Sequence, residues 1–265
     1  MTRLALAAVT ALFLGLFLLL PLGVIFAEAL RKGWGAYRAA VTDPAALAAV
    51  RLTLTGAAIA VPLNTAFGVA AAVALARRRF PGRGLVMTMI SLPLAAPPVV
   101  TGLMYMLIFG MQGLVGQWLW DRGIEVAFAV PGIVLATLFV TLPFVARELI
   151  PLLEEQGDEE EQAARLLGAS GWQTFWRVTL PNVRWALLYG VILSTARAMG
   201  EFGAVSVVSG HIRGRTNTVP LHVEVLYNEY NFAGAFAVAT LLALTALGTL
   251  AARAVLEWRI REAAS

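Results

Sequence analysis

Few residues in this chain are equipped for covalent chemistry, and they lie far apart. His211 and His222 are the only histidines, Lys32 is the only lysine, and there is no cysteine. A thiolate nucleophile, a disulfide and a cysteine metal site are therefore excluded. A lone imidazole is usually structural, so metal-assisted hydrolysis has little to stand on. Lys32 sits in RKGWG, not in a Gly-x-x-x-x-Gly-Lys-Ser/Thr loop, so the chain cannot cradle ATP by that motif. We expect no catalytic residue, no metal ligand and no cofactor-binding residue, and no enzyme.

What remains is charge set into apolar sequence. Gly190, Ser194, Arg197 and Glu201 follow helical spacing, so one apolar segment carries a polar stripe ending in a cation and an anion one turn apart. A charge at the bilayer centre costs roughly 2.5–3.5 kcal/mol, and pairing at i and i+4 reduces that cost. Two readings stay open: the stripe lines or gates the route of an anion, or the pair locks its helix against its neighbours. Beyond it, His211, Arg213 and Arg215 make a basic loop, suited to an acidic protein surface, to attracting an oxyanion, or simply to solvent.

The third constellation is GDEEEQAARLLGASGWQTFWRVTLP, residues 157–181, a charged island between apolar segments. Asp158, Glu159, Glu160 and Glu161 suit the positive end of a helix, and Gly168 stands where a left-handed cap is wanted. The spacing predicts a first helix over residues 158–167. Ser170 and Gln173 have capping-box spacing for a second helix, which Pro181 is expected to close. Trp172, Phe175 and Trp176 fall on one face of that helix. The pair reads either as a docking surface or as a folded loop with aromatics at the lipid interface.

The elements that position these residues must be membrane spans. Apolar residues make up 59% of the chain and charged residues 14%, with a mean hydropathy of +0.77, whereas soluble domains carry roughly 25% charge. Uncharged runs cover residues 4–27, 52–76, 84–120, 126–146 and 232–252, each enough for the ~20 residues a span needs. Residues 185–210 form a sixth, interrupted by two charges. In the run at 84–120, Pro93, Pro97 and Pro98 predict a kinked third span. Arg3, Arg77, Arg78, Arg79, Arg83, Arg147, Arg165, Arg177, Arg184, Arg253, Arg259 and Arg261 alternate with loops holding only Arg31, Lys32, Arg38, Arg122, Arg213 and Arg215. The richer set is assigned to the cytoplasm, with both termini. The net charge of +4 then needs no nucleic-acid partner, since juxtamembrane arginines face anionic lipid.

The island also carries a resemblance. Membrane subunits of binding-protein-dependent transporters, the ABC importer permeases, have in a cytoplasmic loop the signature Glu-Ala-Ala, three residues, Gly, nine residues, Ile-x-Leu-Pro. Ala163, Ala164, Gly168, Val178, Leu180 and Pro181 stand at matching positions. Gln162 replaces the signature's Glu, with Glu161 adjacent, and Val178 replaces its Ile. Over residues 47–253 the chain resembles that family. RAMGEFG from Arg197, VVSGHIRG from Val207 and LHVEVLYNEYN from Leu221 resemble its sulfate/thiosulfate branch.

This resemblance implies an all-α, polytopic bacterial inner-membrane protein of about six transmembrane helices, with the type I ABC importer permease fold. It implies that residues 157–181, through Glu161, Gln162, Ala163, Ala164, Gly168, Val178, Leu180 and Pro181, seat on an ATPase subunit. The implied partners are a related T-type permease in a heterodimer, two ABC ATPase subunits holding ATP and Mg, a periplasmic sulfate-binding protein met by His211, Arg213 and Arg215, and membrane lipids. Only the assembled complex would hydrolyse ATP to move sulfate. A molybdate, tungstate or other oxyanion permease is the near alternative. A secondary transporter or membrane scaffold using Arg197 and Glu201 is the alternative of another class. The expected organisation is an N-terminal span and outer loop over 1–41, a permease core over 42–257, and a cytoplasmic tail over 258–265.

Overall fold

The computed structural model describes residues 2–264, with side-chain surroundings for residues 5–259. The last residue of the expected tail, Ser265, lies outside the described residues, as do the side chains of Arg3 and Arg261. Among the described residues there is no strand. Fifteen α-helical stretches follow one another: α1 (Thr2–Leu14), α2 (Leu20–Leu30), α3 (Trp34–Val41), α4 (Pro44–Arg77), α5 (Arg83–Ala95), α6 (Pro98–Phe109), α7 (Gly116–Trp120), α8 (Val130–Thr141), α9 (Pro143–Gln156), α10 (Glu159–Leu166), α11 (Gly171–Thr174), α12 (Leu180–Met199), α13 (Gly203–Ser209), α14 (Val219–Asn228) and α15 (Phe232–Ala264). Among the described residues four helices are long and apolar enough to cross a membrane: Ala5–Leu30, Pro44–Arg77, Val130–Gln156 and Phe232–Arg259. Two bent pairs raise the number to six. The chain is a multi-pass membrane protein.

Prolines accompany two π turns and one of the two bends. Leu20 and Leu180 each precede a proline, and each is preceded by a π turn, Gly15–Leu19 and Phe175–Thr179, whose closing amide reaches back five residues. The proline that follows lacks an amide and would press its ring on the carbonyl four residues earlier. A single wider turn absorbs both problems. Pro181 therefore does not close the second helix of the island: helix runs from Gly171 to Met199. The third run is bent where its prolines cluster: Ala96 is extended, as a residue before proline prefers, and α5 and α6 meet at 108° across it. Pro98, at the first turn of α6, needs no amide partner.

The chain divides into two compact units, Met1–Leu52 with His211–Leu247, and Thr53–Gly210 with Gly248–Ser265. In the second unit, Ala72, Leu75, Ile90, Val145, Leu149 and Val183 bury the contact of α4, α5, α9 and α12. Two glycines allow it: a Cβ on Gly68 would come 2.7 Å from the Val145 Cβ, and one on Gly190 would come 3.1 Å from its Cα. Small residues let membrane helices approach where no hydrophobic effect drives them together. Asn64 of α4 donates to the Leu138 carbonyl (2.8 Å) and to Thr141 Oγ1 (2.7 Å), tying α4 to α8. In the first unit, Ala46, Ala49, Val219 and Val238 form a smaller core, and Tyr37 hydrogen-bonds Thr240 at 2.9 Å. Most apolar side chains of Ala5–Leu30 remain exposed within the chain, Leu6, Leu12 and Phe13 among them, while Ala29 is buried.

Candidate functional site

The charged island folds as one short helix with a glycine cap, α10, followed by the capped start of the long helix Gly171–Met199. Glu159, Glu160 and Glu161 fill the first turn of α10. Its end is a left-handed cap at Gly168 (φ +87), with the Gly168 amide donating to the Arg165 carbonyl and the Ala169 amide to the Ala164 carbonyl, both at 3.0 Å. These two bonds satisfy carbonyls that the helix end would leave open. The next helix opens with a reciprocal box: the Gln173 amide donates to Ser170 Oγ (3.3 Å), and the Ser170 amide to Gln173 Oε1 (2.8 Å). Local sequence alone specifies both ends.

The surface so built is apolar. Leu166 is 89% exposed and Leu167 90%, beside exposed Gln162 and Ala163. Isolated exposed leucines are ordinary, but two adjacent ones held on a capped turn form a patch that rewards covering. Ala164, Leu167, Gly168, Gln173, Arg177 and Val178 line a recess of about 340 Å³ next to it. Trp172, Phe175 and Trp176 pack mutually with ring centroids 5.5–6.0 Å apart. With Val61, Val69 and Leu187 they line an open apolar groove of about 850 Å³. Pro181 is exposed, while Val178 and Leu180 are half-buried at the π turn.

Glu161 faces the other way. It is 7% exposed, and its Oε1 accepts from Arg77 Nε (3.2 Å), Arg77 Nη2 (3.0 Å) and Thr179 Oγ1 (2.9 Å). Arg77 also donates to the Leu153 carbonyl at the end of α9. The sequence reading counted Arg77 with Arg78 and Arg79 as orienting charge; its pairing was missed, because its partner stands 84 positions away.

The polar stripe is interrupted. Gly190, Ser194 and Arg197 share α12, but helix stops at Met199, and α13 leaves at 48°. Glu201 therefore lies in the break and not on α12. The ion pair with Arg197 forms nonetheless through Oε2, and Glu201 Oε1 accepts the Ala204 amide (2.8 Å), capping α13. Glu201 is 2% exposed and Ser194 fully buried. A buried carboxylate matched to a guanidinium and a helix N-terminus has each oxygen engaged.

In the other unit, His211, Arg213 and Arg215 are exposed on the loop before α14. Arg213 pairs with Glu229, which raises its own pKa and lowers that of Glu229, and His211 Nδ1 lies 4.0 Å from Glu224. Arg213, Lys32, Asp43, His222, Glu229 and Asn231 line a polar cavity of about 450 Å³. His222 is buried there, and desolvation first, then the Arg213 charge, push its pKa below 6.5. Asp43, whose Oδ1 accepts the Ala45 amide (2.8 Å) at the start of α4, and Glu229 oppose that shift. Among the described residues no group of three His, Asp or Glu side chains is placed to hold a metal ion.

Bent spans and close glycine contacts between helices mark a polytopic membrane protein. The chain belongs to the family of binding-protein-dependent transport system inner membrane components, which it matches over residues 64–261. It is 51% identical to the "Sulfate transport system permease protein CysW" of Escherichia coli over 92% of this chain and 84% of that one. It is 40% identical to the CysT permease protein of the same organism, over 91% of this chain and 90% of that one. The fold is that of a chain in the crystal structure of a bacterial alginate ABC transporter, with a TM-score of 0.80, 15% identity and coverage of 98% and 94%.

Proposed function

We propose that this chain is a permease subunit of an ATP-driven importer of sulfate-type oxyanions, offering alternating access while partner subunits bind ATP and Mg. The observation that carries it is the apolar patch of Leu166 and Leu167, set by the Gly168 cap on a segment with the permease signature. This patch is the seat for an ATPase subunit, and it lies on the cytoplasmic face with both termini. Gln162, exposed where the signature has Glu, leaves that surface without one negative charge.

Sulfate as the cargo rests on 51% identity to a sulfate permease protein over most of both chains. Escherichia coli has two such chains, CysW and CysT, and this one is the more similar to CysW by 51% against 40%. That difference supports a heterodimer with a CysT-like partner. The exposed His211, Arg213 and Arg215 would meet the soluble binding protein on the opposite face, where charge complementarity raises the encounter rate. Ser194, Arg197 and Glu201 would sit beside the pathway, holding α12 and α13 in place.

Radiolabelled sulfate uptake tests this in cells that lack their own CysW but keep the other subunits. Restored uptake, blocked by unlabelled thiosulfate but not by molybdate, is the expected result; restoration blocked by molybdate would assign the other oxyanion. Gly168→Asp is expected to leave the protein inserted while abolishing uptake and ATPase retention. Uptake that persists in that variant, or without any ATPase subunit, would overturn the importer reading in favour of a secondary transporter.

A further inference from the structure

The carboxylate of Glu161 joins more of the structure than a docking surface requires. One oxygen, Oε1, receives two hydrogen bonds from Arg77 at the end of the 34-residue helix α4, and one from Thr179 in the π turn that leads into α12. The same guanidinium reaches the Leu153 carbonyl of α9. Side-chain exposure is 14% for Arg77 and 9% for Glu161, so the pair is held away from water. Arg78 and Arg79, next in the chain, are exposed and supply basic charge at this end of the span without Arg77.

The space behind α10 sharpens the point. A polar cavity of about 230 Å³ lies there, lined by Arg77, Gln156, Glu160, Glu161, Thr179 and Asn182. Close packing does not support the helix on that side, so a push on its exposed face would tip α10 into the cavity unless something rigid spans it. A planar guanidinium with a carboxylate on one edge and a backbone carbonyl on another is rigid in the required sense.

We propose that Arg77 is a positioning residue, a buried strut that makes α10 move as one body with the inner ends of α4 and α9. This deepens the docking reading and rests on it: force delivered at Leu166 and Leu167 reaches the spans through Glu161 and Arg77, not only through the chain joins at Gly157 and Gly168. Thr179 adds the root of α12 to the same body. Gln162 then faces the partner while Glu161 serves the interior.

The test uses the complete complex in proteoliposomes with its binding protein, measuring labelled sulfate moved per ATP hydrolysed. Arg77→Gln is expected to retain the ATPase subunits on purification, yet to lower that ratio about tenfold, within the usual span of coupling between sites. The exchange of both residues, Arg77→Glu with Glu161→Arg, is expected to recover part of it. An unchanged ratio in an assembled Arg77→Gln complex overturns the strut. Should Arg77→Gln fail to assemble, a second measurement decides: this chain has no native cysteine, so it is labelled with spin probes at Ala74→Cys and Glu159→Cys before assembly with unlabelled partner subunits, and the pair reports the α4 to α10 distance. The strut requires the same distance in the nucleotide-free and vanadate-trapped states of the otherwise unaltered complex; a change overturns it. Loss of ATPase subunits is the signature of failed docking and is read from Gly168→Asp, so the two ideas fail separately.

Discussion

Glu201 shows how one side chain can hold a break in a membrane helix. Its two oxygens serve different masters: the Ala204 amide at the start of α13, and the Arg197 guanidinium one turn back on α12. In Glu201→Gln the amide oxygen keeps the cap bond, but Arg197 loses its counter-charge. Leaving a polar group without its partner costs about 1–3 kcal/mol, more for a charge. We expect the variant to unfold at lower temperature in detergent and to transport less; a wild-type Tm together with wild-type uptake would remove the pair from the account. Arg77 and Glu161 are a similar buried pair between α4 and α10, with Thr179, just before α12, as a further donor.

Among the elements, the contact of α4, α9 and α12 depends on the absence of side chains. Val145 is pinched between Gly68 and Gly190, with no room for a Cβ on the first and very little on the second. Gly190→Leu is expected to destabilise the protein by about 1–3 kcal/mol, the usual cost of overpacking. Gly248→Leu is the control, because nothing lies within 4 Å of the position a Cβ would take there. Equal Tm values for the two variants would contradict the close packing. The π turn at Phe175–Thr179 is the other element-scale device. By absorbing Pro181 it lets the aromatic face of α11 and the buried face of α12 belong to one continuous helix.

At the scale of the whole molecule, the unit containing α3 and α14 brings a pH response. Burial holds His222 neutral, with its pKa depressed below the ordinary 6.5, while Arg213 adds to the shift and Asp43 and Glu229 oppose it. The unfolded chain takes up a proton near 6.5 and the folded one resists it, so the stability from a neutral His222 is present above pH 6.5 and lost as pH falls below it. We expect Tm to fall on acidification through about pH 6, and the fall to be shallower in His222→Gln. The same slope in both proteins would assign the response to other groups.

Much of this was written locally. Capped ends such as Ser170 with Gln173 and the turn at Gly168, the start of α4 at Asp43 and Pro44, and the six apolar runs all follow from hydropathy and hydrogen-bond needs satisfied within a few residues of one another. The signature spacing marked residues 157–181, and the structure gives that segment its two caps. Prolines were legible as disturbances but not as outcomes: whether one closes a helix, bends it sharply as at Pro97 or passes through a π turn as at Pro181 depends on what packs around it. Partnerships were not legible at all. Arg77 reads as one of three equivalent arginines until the fold brings Glu161, 84 positions on, against it, and Gly68 and Gly190 read as weak helix residues until Val145 lies between them. The amino-acid sequence by itself determined the membrane class, the spans and the capped island, because those depend on short-range forces; only the tertiary structure decided which charges are buried and which glycines are contacts, because those depend on residues distant in the chain.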